Sequence, residues 1–317
     1  MAKAPLKEPF RCSECGWSTS KWVGRCGECQ AWGSIDEGTR KLNVVAAGTV
    51  TATARPIGEV DLAAAQSRSS GVAELDRTLG GGLVPGAVVL LAGEPGVGKS
   101  TLLLTVAAES ARTGLTALYV TGEESTAQVR LRAERLSAIH PSLWLAAENE
   151  LSAVVAHIDA VKPDLLIIDS IQTMASAAVE GSPGGVTQVR EVANTAIRIA
   201  KDRGITVILV GHVTKDGSIA GPRLLEHLVD VVLNFEGDRH SRLRLVRSIK
   251  NRFGATDEVG CFDLHDGGIS GVTDPSGLFT TRHAEPVPGT CVTVALEGRR
   301  ALVAEIQALV GVEKDRD

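Results

Sequence analysis

Four short apolar runs, at residues 87–92, 116–121, 165–168 and 205–210, each end in a polar turn. Runs of that length bounded by turn residues predict strands buried on both faces, as in a parallel sheet. Between them the period changes. Residues 101–111 are rich in helix formers, and a polar helix is predicted to follow Gly122-Glu-Glu-Ser125 as far as about Ser137. In 186–203, Val186, Val189, Val192, Ala193, Ala196, Ile199 and Ala200 recur at helical spacing, which predicts an amphipathic helix with an ordinary core stripe. Strand and helix alternate, so the fold class is α/β, with a mostly parallel sheet flanked by helices.

The first strand runs straight into Gly93, Glu94, Pro95, Gly96, Val97, Gly98, Lys99, Ser100 and Thr101, and then into a helix. This is a phosphate-binding loop in its full context. The glycines let backbone N–H groups turn toward phosphates and the helix N-terminus adds its positive end. Lys99 is placed for the β and γ phosphates of ATP, and Ser100 for Mg²⁺. The run at 165–168 ends in Asp169, a carboxylate at the sheet edge suited to supporting the same magnesium. Glu123 and Glu124 follow another strand, and either is placed to polarise a water for attack on the γ-phosphate, with Glu123 preferred; acidic stabilisation of a helix start is the other reading. His212, after the strand at 205–210, and Lys215 beyond it are switch candidates at the same edge.

Toward the N-terminus the pattern is different. Cys12-x2-Cys15 and Cys26-x2-Cys29 offer four thiolates in two close pairs, the spacing of a structural zinc knuckle over residues 10–33. Trp17, Trp22 and Trp32 lie in it and predict a mini-core around the metal, with a stacking or docking face, flanked by Lys21 and Arg25, as the other use. Residues 34–69 lack a strong pattern and read as a linker. The core is expected over 70–270. Within 239–252, Arg239, Arg242, Arg244, Arg247, Lys250 and Arg252 occur without an acidic residue. On a strand, Arg242 and Arg244 share a face, as do Lys250 and Arg252. Each pair suits phosphate, either of DNA or of ATP in a neighbouring subunit reached in trans. The loops at 174–185 and 215–222 read as mobile segments near that edge.

Composition narrows the class. With 33 Lys and Arg against 38 Asp and Glu, the 317-residue chain has a formal charge of -5, so any polyanion site is local. No apolar run approaches the roughly 20 residues of a membrane span and no secretory leader is seen, which predicts a cytoplasmic protein without membrane contact.

Taken in order, the Cys12–Cys29 knuckle, Leu75-Asp-Arg-Thr-Leu-Gly-Gly-Gly-Leu-Val-Pro-Gly86, the loop from Gly93 to Ser100, Gly122-Glu-Glu-Ser125, Gly211-His-Val-Thr-Lys215 and Lys250-Asn-Arg-Phe-Gly254 resemble the bacterial RadA (Sms) DNA-repair ATPases, relatives of RecA. The resemblance implies a RecA-like P-loop ATPase core in a hexameric ring that uses ATP to move along single-stranded DNA and to extend or migrate branched recombination intermediates. It also implies that Lys250 and Arg252 serve ATP turnover across a subunit boundary or DNA contact, and that the zinc knuckle docks a recombinase or replicative helicase. Such proteins continue into a domain resembling the Lon protease. Here residues 271–317 resemble only its opening, with 291–296 and 301–306 as a first hairpin, so a truncated or short form is expected. A RecA-like regulatory ATPase that remodels protein partners without DNA is the alternative reading.

Overall fold

The computed structural model describes residues 10–37, 53–60, 62, 65–212, 225–237, 241–280 and 287–308. They fall into two compact units that divide at Val60. In the first, β1 (Phe10–Cys12) lies between β2 (Ser18–Thr19) and β3 (Ile35–Glu37) in a small antiparallel sheet. Its core is Cys12, Cys26 and Ile35, with Phe10, Trp17 and Val23 packed on it. β3 therefore carries the knuckle to Glu37, into the stretch read as linker. The three-tryptophan mini-core is corrected: only Trp17 packs, against the Cα of Gly27, whereas Trp22 and Trp32 are 66% and 77% exposed. Arg25 lies over the Trp32 ring, 5.7 Å from its centroid.

The second unit is a nine-stranded sheet between two helical layers. Its order is β12-β11-β10-β9-β4-β8-β7-β5-β6, where β4 is Val88–Gly93, β5 Ala117–Thr121, β6 Leu143–Ala147, β7 Leu165–Asp169, β8 Thr206–His212, β9 Val231–Glu236, β10 Leu243–Asn251, β11 Val259–His265 and β12 Gly268–Gly271. β9, β4, β8, β7, β5 and β6 are parallel; β10, β11 and β12 extend the sheet antiparallel. The apolar runs are continuous because both faces are covered. Val89 and Leu91 pack with α1 (Ala73–Leu79), α2 (Lys99–Arg112) and α3 (Thr126–Arg135). Val88 and Leu90 point the other way, toward α4 (Leu151–Val161) and α5 (Val186–Arg203). α5 spans the range its stripe predicts and stops at Gly204 in the left-handed region.

Local chemistry fixes the ends of these elements. Ser125 and Gln128 form a reciprocal capping box that starts α3 just beyond the two glutamates. The segment at 174–185, read from composition as mobile, is staked by the buried Gln188. That amide donates to Ser176 O, Val179 O and Gly181 O and accepts from Ser176 N.

β13 (Thr290–Glu297) and β14 (Arg300–Gln307) form the expected hairpin as a separate two-stranded sheet. Its turn is tied into the core by a residue that no pattern marks. Arg300 is buried and donates to the buried carboxylate of Glu74 in α1, and to Val259 O, Val272 O and Thr273 O. Val292, Val294 and Leu296 stand exposed along one face of the hairpin. Among the described residues no helix is long and apolar enough to cross a membrane.

Candidate nucleotide and metal sites

The carboxyl ends of the parallel strands converge on the loop after β4. Gly96 and Gly98 take φ of +82° and +108°, which a side chain would strain. A Cβ at Gly93 would lie 2.4 Å from Phe235 O, so β4 and β9 approach closely only because that position is bare. Gly98 begins α2 without any side-chain cap, leaving the first N–H groups of a 14-residue helix turned to the loop. Lys99 is buried, and its Nζ donates to Gly93 O at 2.7 Å and Glu94 O at 2.8 Å. Burial pulls its pKa down from 10.5 to about 8, against the opposing pull of Asp169, Glu123 and Glu94. Backbone donors, a desolvated ammonium and an uncapped helix start fit a polyphosphate.

Asp169 ends β7 as a buried carboxylate, and its Oδ2 accepts from Tyr119 Oη at 2.5 Å. Burial, then the charge of Asp169, push the Tyr119 hydroxyl well above its ordinary pKa, so it remains a donor; Ser100 is its other hydrogen-bond neighbour. Ser100 and Asp169 are thus gathered around one hydroxyl, a donor set that fits magnesium. Bound there, the ion would draw charge from the phosphate oxygens. Tyr119 was not a sequence-based candidate. The sole tyrosine of the chain stands mid-strand in an apolar run, and only the register of β5 beside β7 gives it a partner.

The glutamate pair separates. Glu123 Oε1 accepts from Ser170 Oγ at 2.6 Å and lies 3.2 Å from His212 Nε2, so it faces the ends of β7 and β8. Glu124 turns to α3 and pairs with Arg132 at 2.5 Å. His212 Nδ1 is buried without a partner among the described residues. Lys215 lies outside them.

The basic stretch does not form one cationic face. Arg242 is exposed and held in a two-pronged pair by Asp263, at 3.0 and 2.6 Å. Arg244, expected on the surface beside it, is buried and donates from Nε to Val97 O at 2.9 Å. The correction has a simple cause: period two says that alternate residues share a face, not which face is inside. In β10 the buried set is Arg244, Val246 and Ser248. Lys250 and Arg252 lie at the other end of the sheet. Gly93 is level with Phe235, and Phe235 with Val246, whereas Asn251 pairs with Val231. Arg252 is thus roughly 20 Å along the strand from the phosphate loop at about 3.3 Å per residue. Neither cation reaches the loop of its own chain. Lys250 Nζ donates to Glu226 O and Val229 O at 2.7 and 2.8 Å, and burial, then Arg252, lower its pKa. Arg252 keeps a half-exposed guanidinium 3.2 Å from Asp230.

In the first unit the Sγ atoms of Cys12, Cys15, Cys26 and Cys29 all lie within 4.8 Å of one another, with Cys12–Cys29 and Cys15–Cys26 at 3.6 Å. A tetrahedron with zinc–sulfur bonds of about 2.3 Å has edges of about 3.8 Å, so the set fits Zn²⁺. The Ser34 hydroxyl lowers the pKa of Cys12 to about 6, favouring the thiolate a metal requires.

Comparison with known proteins agrees with both sites. The AAA domain family matches residues 54–218, and the rubredoxin metal binding domain family matches residues 10–37. A KaiC-like protein from Pyrococcus horikoshii shares the fold, at a TM-score of 0.54 and 22% identity over 66% of this chain and 99% of that one. DNA repair protein RadA of Mycolicibacterium smegmatis is 56% identical across 98% of this chain and 69% of its own length. The RadA proteins of Mycobacterium tuberculosis and Streptococcus pyogenes are 54% and 45% identical across 97% of this chain, and 65% and 68% of theirs. The chain thus spans about two thirds of these relatives. With the phosphate loop, the strand-end carboxylates and the four-cysteine knuckle all in place, the chain belongs to the RadA family of RecA-like ATPases.

Proposed function

We propose that this protein is a DNA-repair ATPase that binds single-stranded DNA and uses ATP hydrolysis to drive branch migration or strand extension of recombination intermediates. The observation that carries the reading is the convergence of Lys99, Asp169 and Glu123 at one sheet edge, in a chain 56% identical to a DNA repair protein. In this reading Lys99 holds the β and γ phosphates, Ser100 and Asp169 hold Mg²⁺, and Glu123 accepts a proton from the attacking water while Ser170 and His212 orient it. Glu124 serves through α3. Arg252, half-exposed and distant from its own loop, acts on the ATP of the next subunit in a hexameric ring or on DNA, with Lys250 shaping the segment beside it. The zinc knuckle, with Trp22 and Trp32 exposed, docks a recombinase or replicative helicase.

Steady-state ATP hydrolysis, with and without single-stranded DNA across a salt series, tests the reading against Lys99→Ala as blank. The expected result is DNA-stimulated turnover that declines steeply with salt, as phosphate contacts require, and no turnover in Lys99→Ala. Turnover indifferent to DNA refutes the coupling, and normal turnover in Lys99→Ala refutes the site.

A further inference from the structure

Arg244 connects an element outside the strand-loop-helix unit to the phosphate loop. Its Nε donates to Val97 O at 2.9 Å across 147 positions of sequence, and Nη1 donates to Ser241 O and Leu243 O at 2.6 and 2.9 Å. Arg244 is 5% exposed and its bond to Val97 O is buried, where a charged donor makes its strongest contacts; the bonds to Ser241 O and Leu243 O are partly buried. In a trans peptide the C=O and the N–H point to opposite sides. Holding Val97 O against Arg244 therefore turns the N–H of Gly98 away from that arginine. Gly98 has φ +108° and no Cβ, so nothing in its own side chain opposes rotation of that peptide; a tether has to come from elsewhere.

A second residue carries the same message. A Cβ at Gly237, just past β9, would lie 2.2 Å from Arg244 Cδ and 2.7 Å from Nε. The bare backbone at 237 is what lets Arg244 lie along the path to Val97. Phe235 and Leu264 complete the seat, both within 3.8 Å of a Cβ placed on Gly98.

We propose that Arg244 is a positioning residue for ATP: it fixes the Val97–Gly98 peptide with its N–H toward the phosphates, and Gly237 provides the space for it to do so. This rests on the reading of residues 93–100 as the ATP site. The experiment measures Kd for a fluorescent ATP analogue with Mg²⁺, and kcat and KM for ATP, in the parent, Lys99→Ala, Arg244→Met, Gly237→Ala and the Arg244→Met/Gly237→Ala double variant. A hydrogen bond to a charged group is of a size to weaken binding about tenfold or more when lost. Arg244→Met and Gly237→Ala are each expected to raise Kd by that factor, with KM rising more than kcat falls. The double variant is expected to be no weaker than the weaker single one, because both remove one contact. Effects of the two substitutions that multiply, or a Kd within twofold of the parent in both, overturn the proposal. If Arg244→Met does not fold, Gly237→Ala decides, since it keeps the arginine and its charge in the chain and only displaces the side chain from Val97. A parent that binds no better than Lys99→Ala overturns the ATP reading itself, and is thereby told apart from failure of this inference alone.

Discussion

Lys99 makes nucleotide binding proton-coupled in a window fixed by its burial. In the folded chain its pKa is about 8, against an ordinary 10.5, because desolvation outweighs the pull of three carboxylates. At pH 7 about nine in ten molecules carry the ammonium, and at pH 9 about one in ten. A polyphosphate needs the cation and restores its pKa on binding. Below pH 8 binding therefore takes up no proton from solution; above it, one proton per site is taken up. The apparent Kd should hold steady from pH 6.5 to 7.5, then rise toward tenfold per pH unit, about 1.4 kcal/mol, until the bound-state pKa is reached. Stability without nucleotide moves with the opposite sign. Between about pH 8 and 10.5 the unfolded lysine holds a proton that the folded one has released, so this group makes the fold more stable as pH rises. Titration of a fluorescent ATP analogue from pH 6.5 to 9.5 reads the first effect, with Lys99→Met expected weak and without the rise. A parent Kd that stays constant to pH 9.5 would refute the reasoning, since the lysine would then be charged throughout.

Three further outcomes follow from named contacts. Glu123→Gln should retain ATP binding while losing at least about 100-fold in kcat, the scale of general base catalysis. Glu124→Gln, which disturbs only the pair with Arg132, should lose far less, and equal losses in single-turnover assays would count against the assignment. Arg300→Met leaves the buried Glu74 carboxylate with only Arg77, 3.8 Å away, and should lower unfolding stability by about 3 kcal/mol; a urea midpoint near that of the parent would contradict the anchor. Metal analysis should find one zinc per chain, and chelation should expose the four knuckle thiols to a disulfide reagent with loss of folding in residues 10–37. Full protection after metal removal would oppose that view.

The sequence makes the loop at 93–100, the strand-end Asp169 and the α5 stripe legible because each is encoded within one stretch: a turn geometry, an abrupt polar end to an apolar run, a helical period. What it conceals are partnerships between stretches. Tyr119 is indistinguishable from a core residue until β5 and β7 are in register and its hydroxyl meets Asp169. The choice between Glu123 and Glu124 depends on Ser170, just past β7, and on His212 at the end of β8. Arg242 and Arg244 share a face by period two, but the period does not say which face is covered; in β10 Arg244, Val246 and Ser248 lie on the buried face, and Leu243 and Leu245 on the half-exposed one. Trp22 and Trp32 show the same limit in a small unit: their nearness to the cysteines in sequence does not reveal that Trp17 packs with Cys12, Cys26 and Ile35 while they stay exposed.

The tie between Glu74 and Arg300 spans 226 positions, which gives it a place in time as well as in space. A ribosome adding about 5–20 residues per second makes the helix with Glu74 roughly ten to fifty seconds before the arginine that neutralises it. The backbone N–H of Cys261, another partner of that carboxylate, is also made late. Until then the Glu74 carboxylate has only the looser pair with Arg77 of its own helix, at 3.8 Å, and keeps its need for water, so its burial against β11 is disfavoured until the chain beyond β12 has emerged. Completion of this edge of the sheet is thus deferred until Arg300 has been made, and the hairpin that supplies it latches a core whose phosphate loop was made some 200 residues earlier.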